Sequence, residues 1–338
     1  MRIMLWHVHG GWTDAFVRGE HDYLMPTLPE RGAWGLGRGG RDWPASVREL
    51  APHEFRDADV DVVVLQRPDE LPAAERMLGR RLGSRVPAVY LEHNTPRVDV
   101  PNSVHPLSER ADITVVHVTH FNRLMWDCGR APTTVIEHGV RDLGALYTGG
   151  LPRLGVVVNE PVRRWRVTGT DLLPALTRAA PLDVYGMGTE LLSREFDLPE
   201  ASLVAHGDVP PAQLAPQLAL RRAYLHPLRW TSLGLALLEA MHLGMPVIAL
   251  ATTEAYRAVP PEAGFISTDI DELVGGARRL IDNAEEARVR GRAAREFALQ
   301  HYGLGTFLER WSNVLEDAVA AVPKRSTRIA TSTEGNQR

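Results

Sequence analysis

RIMLWHV (2–8), VDVVVLQ (60–66), PAVYLEH (87–93), DITVVHV (112–118) and TTVIEHG (133–139) are short runs dense in β-branched and apolar residues, separated by segments of helical patterning. LGVVVNE (154–160), LDVYGMG (182–188), SLVAHGD (202–208), AYLHPL (223–228) and MPVIALA (245–251) repeat the plan in the second half. Strands that are apolar without alternation bury both faces, so each series predicts a parallel sheet covered by helices on both sides. The expected fold is therefore α/β, with two Rossmann-like, doubly wound domains facing a central cleft. At 338 residues the chain also exceeds what one hydrophobic core usually supports. Gly and Pro cluster in DLGALYTGGLPR (142–153), which sets the expected division into 1–147 and 148–304. A helix over 305–322 is expected to pack back towards the first domain. The polar tail 323–338 lacks apolar periodicity and is expected to be disordered.

Composition narrows the function. A net charge of −4 argues against a nucleic-acid partner, which usually demands a basic surplus. The single cysteine, Cys128, excludes an internal disulfide and reads as a small buried apolar residue before a catalytic thiol. No apolar run reaches the ~18–20 residues of a membrane span, and MRIMLWHVHGG lacks a cleavable signal. The expectation is a cytoplasmic protein, with peripheral contact at the inner face of a membrane left open. The only lysine is Lys324, in the tail, so phosphate contacts in the body must come from arginines, backbone N–H groups or hydroxyls.

GLGRGG (35–40) fits G-x-G-x-x-G, but ERGAW precedes it instead of an apolar strand and Pro44 follows it. It reads as a mobile glycine-rich loop, not a dinucleotide site. HPLRWTSLGLALLEAMHLGMPVIAL (226–250) is more informative: a strand end, a turn, then a helix stopped by Gly244 ahead of Pro246. Thr231 or Ser232 can cap that helix, and Gly234 lets a ligand approach its first turn. Glu239 lies in the second helical turn among Leu235, Ala236 and Leu243. A buried carboxylate needs a partner. Two accounts are open: an arginine or solvent satisfies it, or it accepts hydrogen bonds from a vicinal diol such as a ribose.

TSLGLALLEAMHLGMPVIAL resembles the signature of the family 4 retaining glycosyltransferases of the GT-B fold. There a glutamate, a Gly-containing turn and a second glutamate eight residues later precede a G-P-V strand. VIEHGVRD (135–142), LGVVVNEPVRRWRVTGTDLL (154–173), LDVYGMG, VAHGDVP and GFISTDIDELVGGARRLI (264–281) resemble further segments in the same order, over about residues 2–320. By position Glu239 resembles the ribose-binding glutamate, with Ser232, Leu233, Gly234 and Leu235 in the donor-binding turn. Thr231 stands where the family has its first glutamate, near the reacting carbon of the donor sugar. Thr168, in TGTD, stands where the family has a diphosphate-binding lysine. Arg163 has the spacing of the family arginine, and Arg163 and Arg164 are expected to hold the diphosphate, against the alternative of a solvated arginine loop.

In the first half, Gly10 and Gly11 follow the first strand and allow a tight turn with N–H groups towards the cleft. Trp12 and His21 can present a ring or a donor to a sugar, or pack the first helix on its sheet. His93 matches a cleft histidine of many relatives, although a structural role is equally open. The resemblance implies a sugar transferase using a nucleoside-diphosphate-sugar donor and a carbohydrate, lipid or natural-product acceptor, with retention of anomeric configuration. His93 and Thr231 are the candidate catalytic residues. No H-e-x-x-H or paired-cysteine pattern exists, and the family generally needs no metal or other cofactor, stabilising the departing diphosphate with arginines and helix N-termini. A same-fold sugar-nucleotide epimerase and a catalytically impaired partner subunit are the rival readings.

Overall fold

The computed structural model describes residues 1–322, so the expectation for the tail falls outside the described residues. The first sheet contains β1 (Arg2–Leu5), β2 (Asp22–Pro26), β3 (Val47–Leu50), β4 (Val62–Leu65), β5 (Ala88–Glu92), β6 (Thr114–His117) and β7 (Thr133–Val135). Its order is β3-β2-β1-β4-β5-β6-β7, parallel throughout. The second contains β8 (Leu151–Val157), β9 (Leu182–Tyr185), β10 (Leu203–Gly207), β11 (Arg221–His226), β12 (Val247–Leu250) and β13 (Gly264–Ser267). Its order is β10-β9-β8-β11-β12-β13, again parallel. In each sheet the order reverses beside the first strand, which opens a crevice at the carboxyl ends where such folds bind ligands.

Period-two alternation divides each sheet between two cores. Ile3, Leu5, Val62 and Val64 face one cluster, while Met4, Trp6, Val63 and Leu65 face the other. In the second sheet Tyr224, Val247 and Ala249 oppose Ala223, Leu225, Ile248 and Leu250. Phe307, Trp311 and Leu315 of the helix Leu304–Ala321 join the cluster built on the first sheet. Trp311 meets the rings of Trp12 and Phe16 edge-on at 5.4 and 5.2 Å. Gly139 has no room for a β-carbon beneath Phe307, so the chain leaving β7 lies directly under this helix. The chain therefore crosses twice between the sheets. The two crossings touch where Val140 N–H donates to Tyr302 C=O at 2.8 Å.

The two halves are also bonded through side chains. Ser232 Oγ donates to His93 C=O, and Trp230 Nε1 donates to Pro96 C=O at 2.8 Å. Glu254 is buried and accepts from Phe121 N–H at 2.7 Å and His120 N–H at 3.3 Å, the first turn of the helix His120–Met125. A carboxylate there satisfies donors that no helix can satisfy internally. The glycine-rich loop also differs from expectation. The Arg38 guanidinium donates to the carbonyls of Trp43, Pro44 and Val47, and Glu49 accepts from Arg38 N–H, so the loop is fastened to the fold. Cys128 is buried with its thiol pushed up to about 11, mainly by desolvation, which leaves it a packing residue at neutral pH. Among the described residues no helix is long and apolar enough to cross a membrane.

Two predictions follow from this packing. Glu254→Ala should cost roughly 1.5–3 kcal/mol, the scale of hydrogen bonds to a charged acceptor, read as a shifted denaturant midpoint; no shift would refute the clamp. Burial also holds His138 down at about 4 and His117 and His226 at about 3. In the unfolded chain each takes up its proton near pH 6.5, whereas in the folded chain it stays neutral until far lower pH. Their stabilisation is thus present above about pH 6.5 and is lost as pH falls towards the folded values. The melting temperature should drop between pH 7.5 and 5; a flat profile would contradict it.

Candidate functional site

The helix Leu235–Leu243 begins at Gly234, which offers no side-chain cap, and stops at Gly244 with φ +88°. Neither Thr231 nor Ser232 caps it, contrary to expectation: Ser232 spends its hydroxyl on His93 C=O across the cleft. Leu233 is buried in the second domain's core, so its side chain serves packing. The helix start therefore keeps its first N–H groups open. A β-carbon on Gly11 would lie 2.8 Å from Leu235 Cδ1, so the Gly10–Gly11 turn after β1 faces this helix start directly.

Glu239, one turn further on, is exposed and makes neither hydrogen bond nor ion pair among the described residues. The surrounding protein nevertheless pushes its pKa up by desolvation, with the Asp14 carboxylate adding repulsion. Water reaches the side chain, yet protein encloses enough of its carboxyl to weaken hydration. Of the first account an internal arginine is excluded by these contacts, and the exposed side chain meets solvent. An unpartnered carboxylate open to solvent keeps its oxygens free to accept hydrogen bonds from a ligand.

The arginines divide sharply. Arg163 is exposed and its charge is paired with Glu160. Arg166 and Arg229 both bind Asp171, at 3.0 and 2.8 Å. Arg164 is half-buried with no ion pair among the described residues; desolvation, then Arg97 and Arg163, holds its pKa below the usual range. Thr168 cannot stand in for a cation or offer a free hydroxyl. It is buried, and its Oγ1 donates to Trp165 C=O at 3.0 Å and contacts Thr170 Oγ1 at 2.9 Å. Its role is to shape the turn.

His93 sits on the loop after β5. Gln66 Nε2 donates to Trp6 C=O at 2.7 Å, which turns Gln66 Oε1 towards His93 Nε2 at 3.0 Å. That acceptor fixes the Nε2–H tautomer and leaves Nδ1 with a lone pair. Desolvation, followed by His9 and His138, holds the imidazole well below its ordinary pKa. The His9 ring lies 3.9 Å from it, centroid to centroid, and is itself pushed down to about 4 by burial. The cleft floor is thus neutral imidazole, able to accept a hydroxyl's hydrogen bond but unsuited to carry charge.

Two expectations on the first domain are corrected. Trp12 is buried between Phe16 and Trp311, and touches the cleft only through the edge of its contact with His93 at 5.6 Å. It supports His93 from beneath. His21 precedes β2, whose first residue pairs with Arg2 at the start of β1, so it lies at the amino ends of the strands, opposite the cleft. Its Nε2 is 3.2 Å from Ser312 Oγ. The helix Gly10–Phe16 carries the chain from one end of the sheet to the other, which a linear reading overlooks. Three residues not anticipated also border the cleft: Arg41, whose guanidinium rests against Gly10; Arg97; and Glu254 as the interdomain clamp. Arg97 borders a cavity of about 650 Å³ in the first domain, with Arg67, Tyr90, Asn94 and Trp126 in its wall.

Comparison with known proteins agrees with this architecture. Residues 165–283 match the family model described as glycosyl transferases group 1. No curated protein matches the chain. Among solved structures, sucrose-phosphate synthase from Thermosynechococcus elongatus is 15% identical, with 95% of this chain and 100% of that one covered at a TM-score of 0.71. HepE of Anabaena, solved in complex with UDP-glucose, is 17% identical, with 94% and 100% covered at 0.68. A glycosyltransferase from Rickettsia africae is 12% identical, with 96% and 99% covered at 0.69. The chain has the two-domain GT-B fold, and its second domain carries the glycosyl transferases group 1 match.

Proposed function

We propose that the protein is a glycosyltransferase that moves a sugar from a nucleoside-diphosphate-sugar to an acceptor hydroxyl. The observation that carries this reading is Glu239, an unpartnered carboxylate facing the Asp14 side of the cleft one turn inside an open helix start. Its oxygens would accept from the two hydroxyls of the donor ribose. The uncapped N–H groups at Leu235 and Ala236 face the Gly10–Gly11 turn and suit an anionic or hydroxyl-rich ligand. The group 1 match over 165–283 and a structural relative solved with UDP-glucose support the same donor class.

On this reading residues 148–304 hold the donor and 1–147 supply the acceptor side. His93 Nδ1 would accept a hydrogen bond from the transferred sugar or the acceptor. Thr231, whose hydroxyl makes no hydrogen bond among the described residues, would position the sugar near its reacting carbon. The bond between anomeric carbon and diphosphate oxygen breaks as the acceptor oxygen attacks from the same face, and the acceptor's proton passes to the departing phosphate. Configuration is thereby retained. Arginine and helix N–H groups stabilise the developing negative charge, and closure of the cleft keeps water from the donor. The expected setting is the cytoplasm.

A thermal-shift screen against nucleoside diphosphates and their sugar conjugates should single out one base, because a ligand of the native state raises apparent stability. Glu239→Ala should weaken that nucleotide roughly 10- to 100-fold with the fold intact, the loss expected for hydrogen bonds to a charged acceptor. Unchanged affinity would reject the ribose assignment. Thr231→Val keeps the shape and removes the hydroxyl; kcat should fall about tenfold, the worth of one hydrogen bond, with nucleotide affinity preserved. An equal loss in affinity would move Thr231 from sugar positioning to nucleotide binding.

A further inference from the structure

Arg164 and Arg97 come from different domains, and neither makes an ion pair among the described residues. One tryptophan holds their two loops together. Val167 C=O accepts from Trp230 N–H at 3.1 Å, which fixes the turn after Arg164, and Trp230 Nε1 donates to Pro96 C=O at 2.8 Å, next to Arg97. On its other side the Arg97 loop is pinned by Trp126 Nε1, which donates to Asn94 C=O at 2.8 Å. Arg97 itself meets only Asn94 Oδ1, at 3.1 Å. The fold has thus paired every other arginine of the 163–166 turn with a carboxylate and left Arg164 near a second uncompensated guanidinium. Arg164 is half-buried and Arg97 exposed, and like charges held by neighbouring loops repel unless an anion sits between them.

We infer that Arg97 and Arg164 form a split anion site, one cation from each domain, that grips the donor's diphosphate. The inference rests on the donor reading above and names the group that completes it. Thr168, at the position where the resemblance leads one to expect a lysine, has its hydroxyl committed to Trp165 C=O and cannot supply the missing charge. Arg97 supplies it from across the cleft. Two planar guanidiniums can each offer parallel N–H groups to phosphate oxygens. Because they sit on opposite domains, closing the cleft and completing the leaving-group site become one event. Opening it would then release the nucleoside diphosphate.

The test is isothermal titration of UDP, UMP and uridine, with the ADP, GDP or TDP series substituted if one of those binds more tightly. The variants are Arg97→Gln, Arg97→Lys, Glu239→Gln and a control, Arg85→Gln, at an exposed arginine before β5 on the opposite end of the sheet. Arg97→Gln should weaken the diphosphate roughly 10- to 100-fold, the usual loss for a charge-assisted contact, with little change for the nucleoside. Arg97→Lys should recover part of that loss, and Arg85→Gln should lose nothing. Arg97→Gln with an unchanged preference for diphosphate over nucleoside would overturn the split site. If Glu239→Gln still weakens all three ligands in that case, the donor reading survives alone. Glu239→Gln without effect on any of them would reject the donor reading itself. Binding of none of the nucleotides would refute both.

Discussion

The cleft depends on the seam between the loop after β5 and the turn after β11. Ser232 bonds His93 C=O, Trp230 bonds Pro96 C=O, and Glu254 caps a helix of the opposite domain. These are polar contacts between two independently packed cores, since each sheet fills its own faces. An interface of this kind holds through a few directional bonds more than through buried area, so it can open without disturbing either domain. A carboxylate such as Glu254, buried and saturated, is well suited to define one closed arrangement.

The charged groups fall into two populations. Several arginines and acids are paired within their own domain: Arg166 and Arg229 with Asp171, and Arg153 and Arg221 with Asp183; Arg295 pairs with Asp142. Glu239 and Arg164, both bordering the cleft, are left without such partners. Arg164 is half-buried while its neighbours Arg163 and Arg166 are paired, and Glu239 is open to solvent, so both are free to meet a ligand. The imidazoles of His9, His93 and His138 are held neutral by burial, so the floor adds hydrogen-bond capacity without competing charge. On the proposed reading Glu239 accepts from ribose hydroxyls and Arg97 and Arg164 meet the diphosphate.

Much of the architecture was legible because both sheets are parallel and buried. Runs such as VDVVVLQ leave little choice of secondary structure, and Gly244 before Pro246 marks a helix stop that the structure keeps. The strands overlooked are β2 and β3: β3 is an edge with only Val47 fully buried, and β2, DYLMP, is buried over four residues but has no β-branched residue, so neither carries the β-rich signal of the other runs. Glu239 stood out as a charge in an apolar helix. Arg97 and Glu254 could not, because their meaning lies in what the other domain brings beside them. His21 failed for the converse reason: close in sequence to the glycine turn, it lies a full strand length away. Thr168 and Ser232 were recognised as special positions, but their hydroxyls answer local and interdomain carbonyls that no linear pattern reveals.

The central claim is that one free carboxylate reads a pair of sugar hydroxyls on a nucleotide. Titration with a nucleoside diphosphate and its 2′,3′-dideoxy counterpart tests it most directly, in the wild-type chain and in Glu239→Gln. The account predicts that loss of the diol weakens wild-type binding by about tenfold or more, and that this penalty largely vanishes in the variant. A wild-type chain indifferent to the missing hydroxyls, or a variant that still feels their loss in full, would contradict it.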